Sequence, residues 1–145
     1  MAADELGEIE AIKRLKARYF RLMDTKQWDA WGELFTRDCR LSSDPGGGLP
    51  WVEWVGRDQI VERNRAALEG CRSVHHGHMP EIEITGPTTA RGVWAMYDYL
   101  IWEGDRPRVY EGYGHYTETY ERGDGAWRIA SLRLTRLRVD VRGDW

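Results

Sequence analysis

Four histidines, two carboxylates in apolar company and a pair of arginines are the residues of this chain best suited to moving a proton. His75, His76 and His78 stand together in VHHGHMP, and His115 lies in GYGHY. A neutral imidazole can take a proton near pH 7, and an oriented one does so far better. Asp24 stands where a helical pattern stops, so its direction is no longer set by the helical step; it can turn inward or make an ordinary turn. Asp98 belongs to a strand-like run in which Trp94, Met96, Asp98, Leu100 and Trp102 share one face. A carboxylate on such a face has to be paired, wet or protonated. Arg136 and Arg138 share the parity of Leu132 and Leu134, so either is a candidate partner for Asp98 or for a bound carboxylate, the plainer reading being a surface arginine at a strand end.

The histidine cluster also has the chemistry of a zinc site, but no third ligand run accompanies it, and no metal is expected. On one strand His76 and His78 share a face and His75 takes the other, so only one set enters a pocket unless a bulge intervenes. Gly77 and Pro80 make a bulge possible.

These residues need elements to carry them. Apolar residues at Leu6, Ile9, Ile12, Leu15, Tyr19, Leu22 and Met23 predict a first helix over Glu5–Met23. On that pattern alone Tyr19 is a core residue. Trp28, Trp31, Leu34 and Phe35 predict a second, short helix over Gln27–Phe35, and the two make a helical hairpin. Arg37–Ser43 reads as a strand, and SDPGGGLP as an exposed, mobile loop. Gly56–Gly70 reads as a third helix, with Asp58 in its first turn and Gly70 at its end. Four antiparallel strands follow, over Val74–Thr85, Ala90–Glu103, Val109–Arg122 and Trp127–Val139. Helices first and a meander after them argue an α+β fold, one curved sheet packed on a helical layer. Both faces of the second of these strands are apolar, which calls for a cavity or helices on one side and another subunit on the other.

Length and composition narrow the function. At 145 residues, with 41% hydrophobic and 31% charged side chains, the chain fits one globular domain spanning 1–145. Eight tryptophans and seven tyrosines suit pocket walls and subunit contacts as well as a core. A net charge of −3 with scattered arginines argues against nucleic acid. With no run of about 18 apolar residues and an acidic, amphipathic start, no membrane partner and a cytoplasmic location are expected. Cys39 and Cys71 lie in no metal or redox spacing and are read as free thiols.

The segments RYFRLMDTKQWDAWGELFTRDCRL, GRDQI, VHHGHMPEIEITGPTTARG and GYGHYTETYERGDGAWRI, in this order, resemble the SnoaL-like branch of the NTF2-like (cystatin-like) superfamily. Nearly the whole chain takes part. Within that branch the chain is similar to scytalone dehydratase, bile-acid 7α-dehydratase and the related lindane dehydrochlorinase. The resemblance implies a cone of helices on a strongly curved antiparallel or mixed sheet, a homodimer or homotrimer, no cofactor, and a histidine held by an aspartate inside the cone. Position by position it implies that Asp24 is that aspartate, Tyr19 the tyrosine five residues before it, His75 the strand histidine and Asp98 the aspartate of the following strand. His115 is implied as a second pocket histidine.

The chemistry so implied is elimination of water, or isomerisation, on a hydrophobic cyclic or polyketide-like molecule. His75 would take the proton next to a carbonyl, Tyr19 would donate to the carbonyl oxygen, and Asp98, kept protonated by its apolar face, would assist the departing hydroxyl. His115, Trp54 and Arg138 are expected to contact substrate, Trp54 from the loop SDPGGGLPWVEW that helps to close the pocket. A non-catalytic small-molecule binder and a polyketide cyclase share the same fold and stay open as alternatives.

Overall fold

The computed structural model describes residues 2–145. Helix α1 (Ala2–Asp24) is followed by α2 (Trp28–Gly32), β1 (Phe35–Ser43), β2 (Val52–Val55), α3 (Arg57–Ala67), β3 (Cys71–Gly86), β4 (Thr89–Trp102), β5 (Arg108–Gly123) and β6 (Ala126–Arg142). The strands form one six-stranded sheet in the order β2-β1-β6-β5-β4-β3. Every pair is antiparallel except β1 with β6, so the sheet is mixed. With three helices packed on it, this is the α+β cone that the sequence leads one to expect.

The helical layer rests on the inner face through the stripe read from sequence. Ile12, Leu15, Tyr19, Leu22 and Met23 of α1 are all buried, and they meet Trp31, Phe35, Trp94, Tyr116 and Ile129 in one core. Trp31 is fully buried, with its ring 4.7 Å from Phe35 and 5.5 Å from Tyr19. A ring of this size removed from water contributes about 3 kcal/mol, so this corner fixes where the end of α1 sits.

Three local readings change. The second helix stops at Gly32, because Phe35 pairs with Ile129 across β1 and β6 and the Leu34 carbonyl accepts the Ile129 amide at 2.8 Å. Tertiary pairing overrides the helical spacing there. Strand β2, four residues long, was hidden between Pro50 and Gly56, and it pairs with β1 so that Trp54 faces Leu41. The third helix ends at Ala67, and Gly70 makes the left-handed turn into β3 with φ 69°.

Three of the sheet's irregularities set which side chains point inward around the site. Strand β3 shifts register between His78 and Glu81, where Met79 has φ 46°. Strand β6 carries one extra residue at Ala130 and another at Leu137, since Tyr120 faces Ile129 while Thr119 faces Ser131, and Gly114 faces Arg136 while Tyr113 faces Arg138. Each bulge swaps the inner and outer faces of the strand beyond it.

Candidate active site

Asp24 is the last residue of α1, and from there its carboxylate reaches across to β3. One oxygen accepts the Ser73 hydroxyl at 2.8 Å and meets His75 Nδ1 at 2.6 Å; the other accepts the His75 backbone N–H at 2.8 Å. A carboxylate only accepts, so the neutral ring carries its proton on Nδ1 and presents Nε2 as a bare lone pair. The His75 side chain is 8% exposed, and it lines an internal cavity of about 640 Å³.

Opposite His75 on the neighbouring strand stands Asp98, 2% exposed. Its Oδ2 accepts from Arg136 Nη1 at 3.0 Å, while Oδ1 lies 4.0 Å from His75 Nε2 with no partner among the described residues. The Arg136 guanidinium is buried too, with the Asp44 carbonyl, the Met96 sulfur and the Tyr110 ring against it. Asp98 is therefore its counter-charge, and a buried guanidinium without one would be strongly unfavourable. With the arginine beside it, Asp98 is an acceptor through Oδ2.

The approach of Arg136 depends on two glycines. Gly112 faces Asp98 across β4 and β5, and a Cβ there would lie 2.2 Å from Arg136 Nη1. A Cβ at Gly114 would lie 1.8 Å from the Thr135 carbonyl, at the Leu137 bulge. The GYG of GYGHY is thus a passage for the arginine.

Tyr19 and Tyr116 complete the inner end, their rings 6.0 Å apart and both lining the cavity. Burial pushes both phenols well above their usual range, and the carboxylates of Glu118 and Asp98 push the same way. Both stay neutral and can donate. Behind them Lys16 is ion-paired with Glu118; burial pulls the ammonium down and Glu118 opposes that. Toward the mouth the walls are apolar, with Trp54, Leu100, Trp102, Leu134 and Val141 among them, and the Pro45–Gly47 loop and Trp145 stand at the rim. The Tyr110 hydroxyl donates to the Pro45 carbonyl at 2.9 Å, and Trp145 packs edge-on against Trp102. A second depression, about 660 Å³, is lined by Arg37, Arg57, Arg122 and Arg128 among others, and none of the groups above reaches it.

Of the residues singled out in the sequence, Tyr19, His75, Asp98 and Trp54 gather around one cavity, and Asp24 stands behind His75. His115 and Arg138 do not. His115 faces Ala95 on the outer side of the sheet, the side opposite Tyr116 and Gly114. Arg138 lies beyond the Leu137 bulge, which turns it outward to pair with Asp140 at 2.9 Å; Arg136, on the near side of the bulge, takes the inner position. His76 and His78 are exposed, and His76 stacks on Tyr97 on the outer face. Tyr116, Lys16 and Glu118 were not foreseen. The alternation of Gly112, Gly114, Tyr116, Glu118 and Tyr120 was the available signal for the strand; nothing local marks Lys16, which lies one turn before Tyr19 on the same helix.

Comparison with known proteins agrees with this architecture. A family model described as a SnoaL-like domain matches residues 4–133. A protein of Gibberella zeae provisionally named a cyclase is 25% identical over 133 residues, covering 87% of this chain and 89% of the other. A crystal structure from Novosphingobium aromaticivorans, provisionally named a scytalone dehydratase, superposes with a TM-score of 0.85 at 23% identity over 97% of this chain and 91% of that one. A type 2 hexachlorocyclohexane dehydrochlorinase superposes with a TM-score of 0.81 at 18% identity over 98% and 93%. The two structural likenesses show a shared fold.

Proposed function

The chain belongs to the SnoaL-like domain family, and from that premise we propose that it is a cofactor-free lyase of the dehydratase kind, or a related isomerase, acting on a hydrophobic cyclic or polyketide-like molecule. The observation that carries this reading is the His75 ring, held by Asp24 at 2.6 Å with its second nitrogen toward an apolar cavity. An oriented base facing a largely apolar, aromatic-walled space is suited to taking a proton from carbon.

In this reading His75 Nε2 takes the proton from the carbon beside a carbonyl, and the electrons of that C–H bond move to the carbonyl oxygen. Tyr19 and Tyr116 donate hydrogen bonds to the oxygen as its charge develops. The imidazolium so formed lies between two carboxylates, Asp24 on Nδ1 and Asp98 Oδ1 at 4.0 Å from Nε2. Nε2 then returns its proton to the hydroxyl on the next carbon, the C–O bond breaks, and water leaves with an enone behind it. His75 is neutral again at the end. Return of the proton to a different carbon instead would be isomerisation.

The test is a panel of β-hydroxy ketones on one to four fused rings, followed by the absorbance of the enone. Turnover by the native chain that disappears in His75→Ala supports the reading. Binding without turnover, equal in both chains, would instead assign the protein as a small-molecule carrier. The cyclase reading rests on the Gibberella zeae relative, and chromatographic identification of a ring-closed product would favour it over elimination.

A homodimer or homotrimer is part of the proposal. The outer face carries a stack of His76, Tyr97 and Tyr113, with exposed Val74, Met79 and Leu137 beside it. A ring-rich sheet face with exposed apolar side chains on it is suited to pairing with a second copy. Sedimentation equilibrium checks it; a monomer at high concentration would overturn it.

A further inference from the structure

Beneath the pocket lies a charged layer that the elimination chemistry leaves unused. Lys16 of α1 is 0% exposed, and its ammonium is paired with Glu118 of β5, itself 1% exposed. Glu118 also accepts from the Tyr120 hydroxyl, which in turn accepts the Trp94 indole N–H at 2.9 Å. The same ammonium stands 3.7 Å from the ring centroid of Tyr19 and 3.7 Å from that of Tyr116.

Stability is a weak reason for such a pair. Taking two charges out of water costs several kcal/mol each, and well-packed apolar residues of like volume often serve as well or better. The position of the ammonium suggests another use. A cation against the face of a phenol is attracted to its π-electrons, more strongly where water is excluded, and it draws density away from the ring. A phenol polarised this way is a stronger hydrogen-bond donor. Here one ammonium faces the rings of both Tyr19 and Tyr116, and Glu118, tied to Tyr120, keeps it in place.

We infer that Lys16 is a positioning residue of the site, whose ammonium strengthens Tyr19 and Tyr116 as donors to a negatively charged oxygen, so that the pocket selects delocalised oxyanions such as enolates and phenolates over neutral molecules of the same shape. The inference rests on the reading of the pocket as one where an enolate oxygen forms beside Tyr19.

The probes are 4-nitrophenolate and its neutral isostere 4-nitroanisole, titrated into the native chain, into Tyr19→Phe and into the double variant Lys16→Met/Glu118→Gln. Methionine keeps the length of the lysine stem, and glutamine keeps an acceptor for Tyr120. The native chain is expected to prefer the phenolate, and the double variant to lose about tenfold in phenolate affinity, with nitroanisole binding unchanged within about twofold. A double variant that keeps its preference, while Tyr19→Phe loses it, overturns the role of Lys16 and leaves the proposed function standing. A native chain without any preference overturns both. Should the double variant not fold, the Lys16 nitrogen is observed by NMR in the unmodified chain. A charged ammonium whose signal moves with phenolate and not with nitroanisole supports the inference; a neutral amine, or no movement, overturns it.

Discussion

Asp98 and Gly112 face each other across β4 and β5, and the absent side chain at Gly112 is what lets Arg136 cross from β6 to the Asp98 carboxylate. One strand supplies the carboxylate, the next supplies only space, and the third supplies the guanidinium. The pair is buried on both sides, and a side chain at Gly112 would meet the end of the arginine.

Gly112→Ala is therefore expected to displace the Arg136 guanidinium from its place on Asp98 and to destabilise the fold, by at most about 3 kcal/mol, the order reached when a buried pair loses one partner. Urea denaturation gives the loss, and a crystal structure of the variant shows the displaced guanidinium. An unchanged midpoint would mean that Arg136 has another route.

Arg136 and Arg138 separate the inner from the outer face. Arg136→Met is expected to abolish turnover of any accepted substrate and to weaken ligand binding. Arg138→Met, at a side chain 71% exposed and paired with Asp140, is expected to change stability by less than about 1 kcal/mol and to leave turnover as it was. Parallel assays of the two variants check the assignment.

His75→Ala is expected to lower the elimination rate by about 100-fold or more, as for a necessary general base. Asp24→Asn keeps the size of the side chain and replaces an obligate acceptor by a group that can also donate. The imidazole tautomer is then no longer enforced, and a comparable loss is expected with the melting temperature nearly kept. Nitrogen NMR of the His75 ring reads the tautomer directly.

Glu8 links α1 to the end of the sheet, accepting from the Trp127 indole and from Arg122. These bonds, the indole first, lower its carboxyl against an opposing push from burial. A carboxyl depressed in the folded state contributes stability that is complete above its unfolded value, about 4.3, and is lost as pH falls through the depressed one. Melting temperatures of the native chain and Glu8→Gln should differ at pH 7 and converge below pH 4. Parallel curves at all pH values would remove Glu8 from the acid limb.

Cys39 is 0% exposed, and burial, with Glu118 adding to it, pushes its thiol up to about 12. Burial raises Cys71 as well. Since the thiolate is the reactive form, neither should react with an aromatic disulfide reagent at pH 7 until the chain is unfolded. Rapid release of two equivalents from the native protein would contradict this.

Much of the architecture follows from pattern alone. The 3.6-residue stripe of α1 and the alternation of Trp94, Met96, Asp98 and Leu100 depend on nearest neighbours in the chain, and the fold built on them keeps those faces. Glycine and proline clusters mark the turns for the same reason. The resemblance to a family then singled out His75 among three histidines, which alternation could not do.

Alternation fails where a strand takes an extra residue. Counting by twos from Leu132 places Arg136 and Arg138 together, and the bulge at Leu137 sends them to opposite sides. His115 went astray differently: its strand keeps its alternation here, and the side it faces is set by Tyr116 and Glu118, which α1 covers. The sequence by itself determined the order of helices and strands, the apolar stripe that buries Tyr19, and the set of titratable residues from which a site can be made. Only the tertiary structure decided which of them meet, because a bulge, a buried ion pair and a glycine passage are each settled by partners distant in the chain.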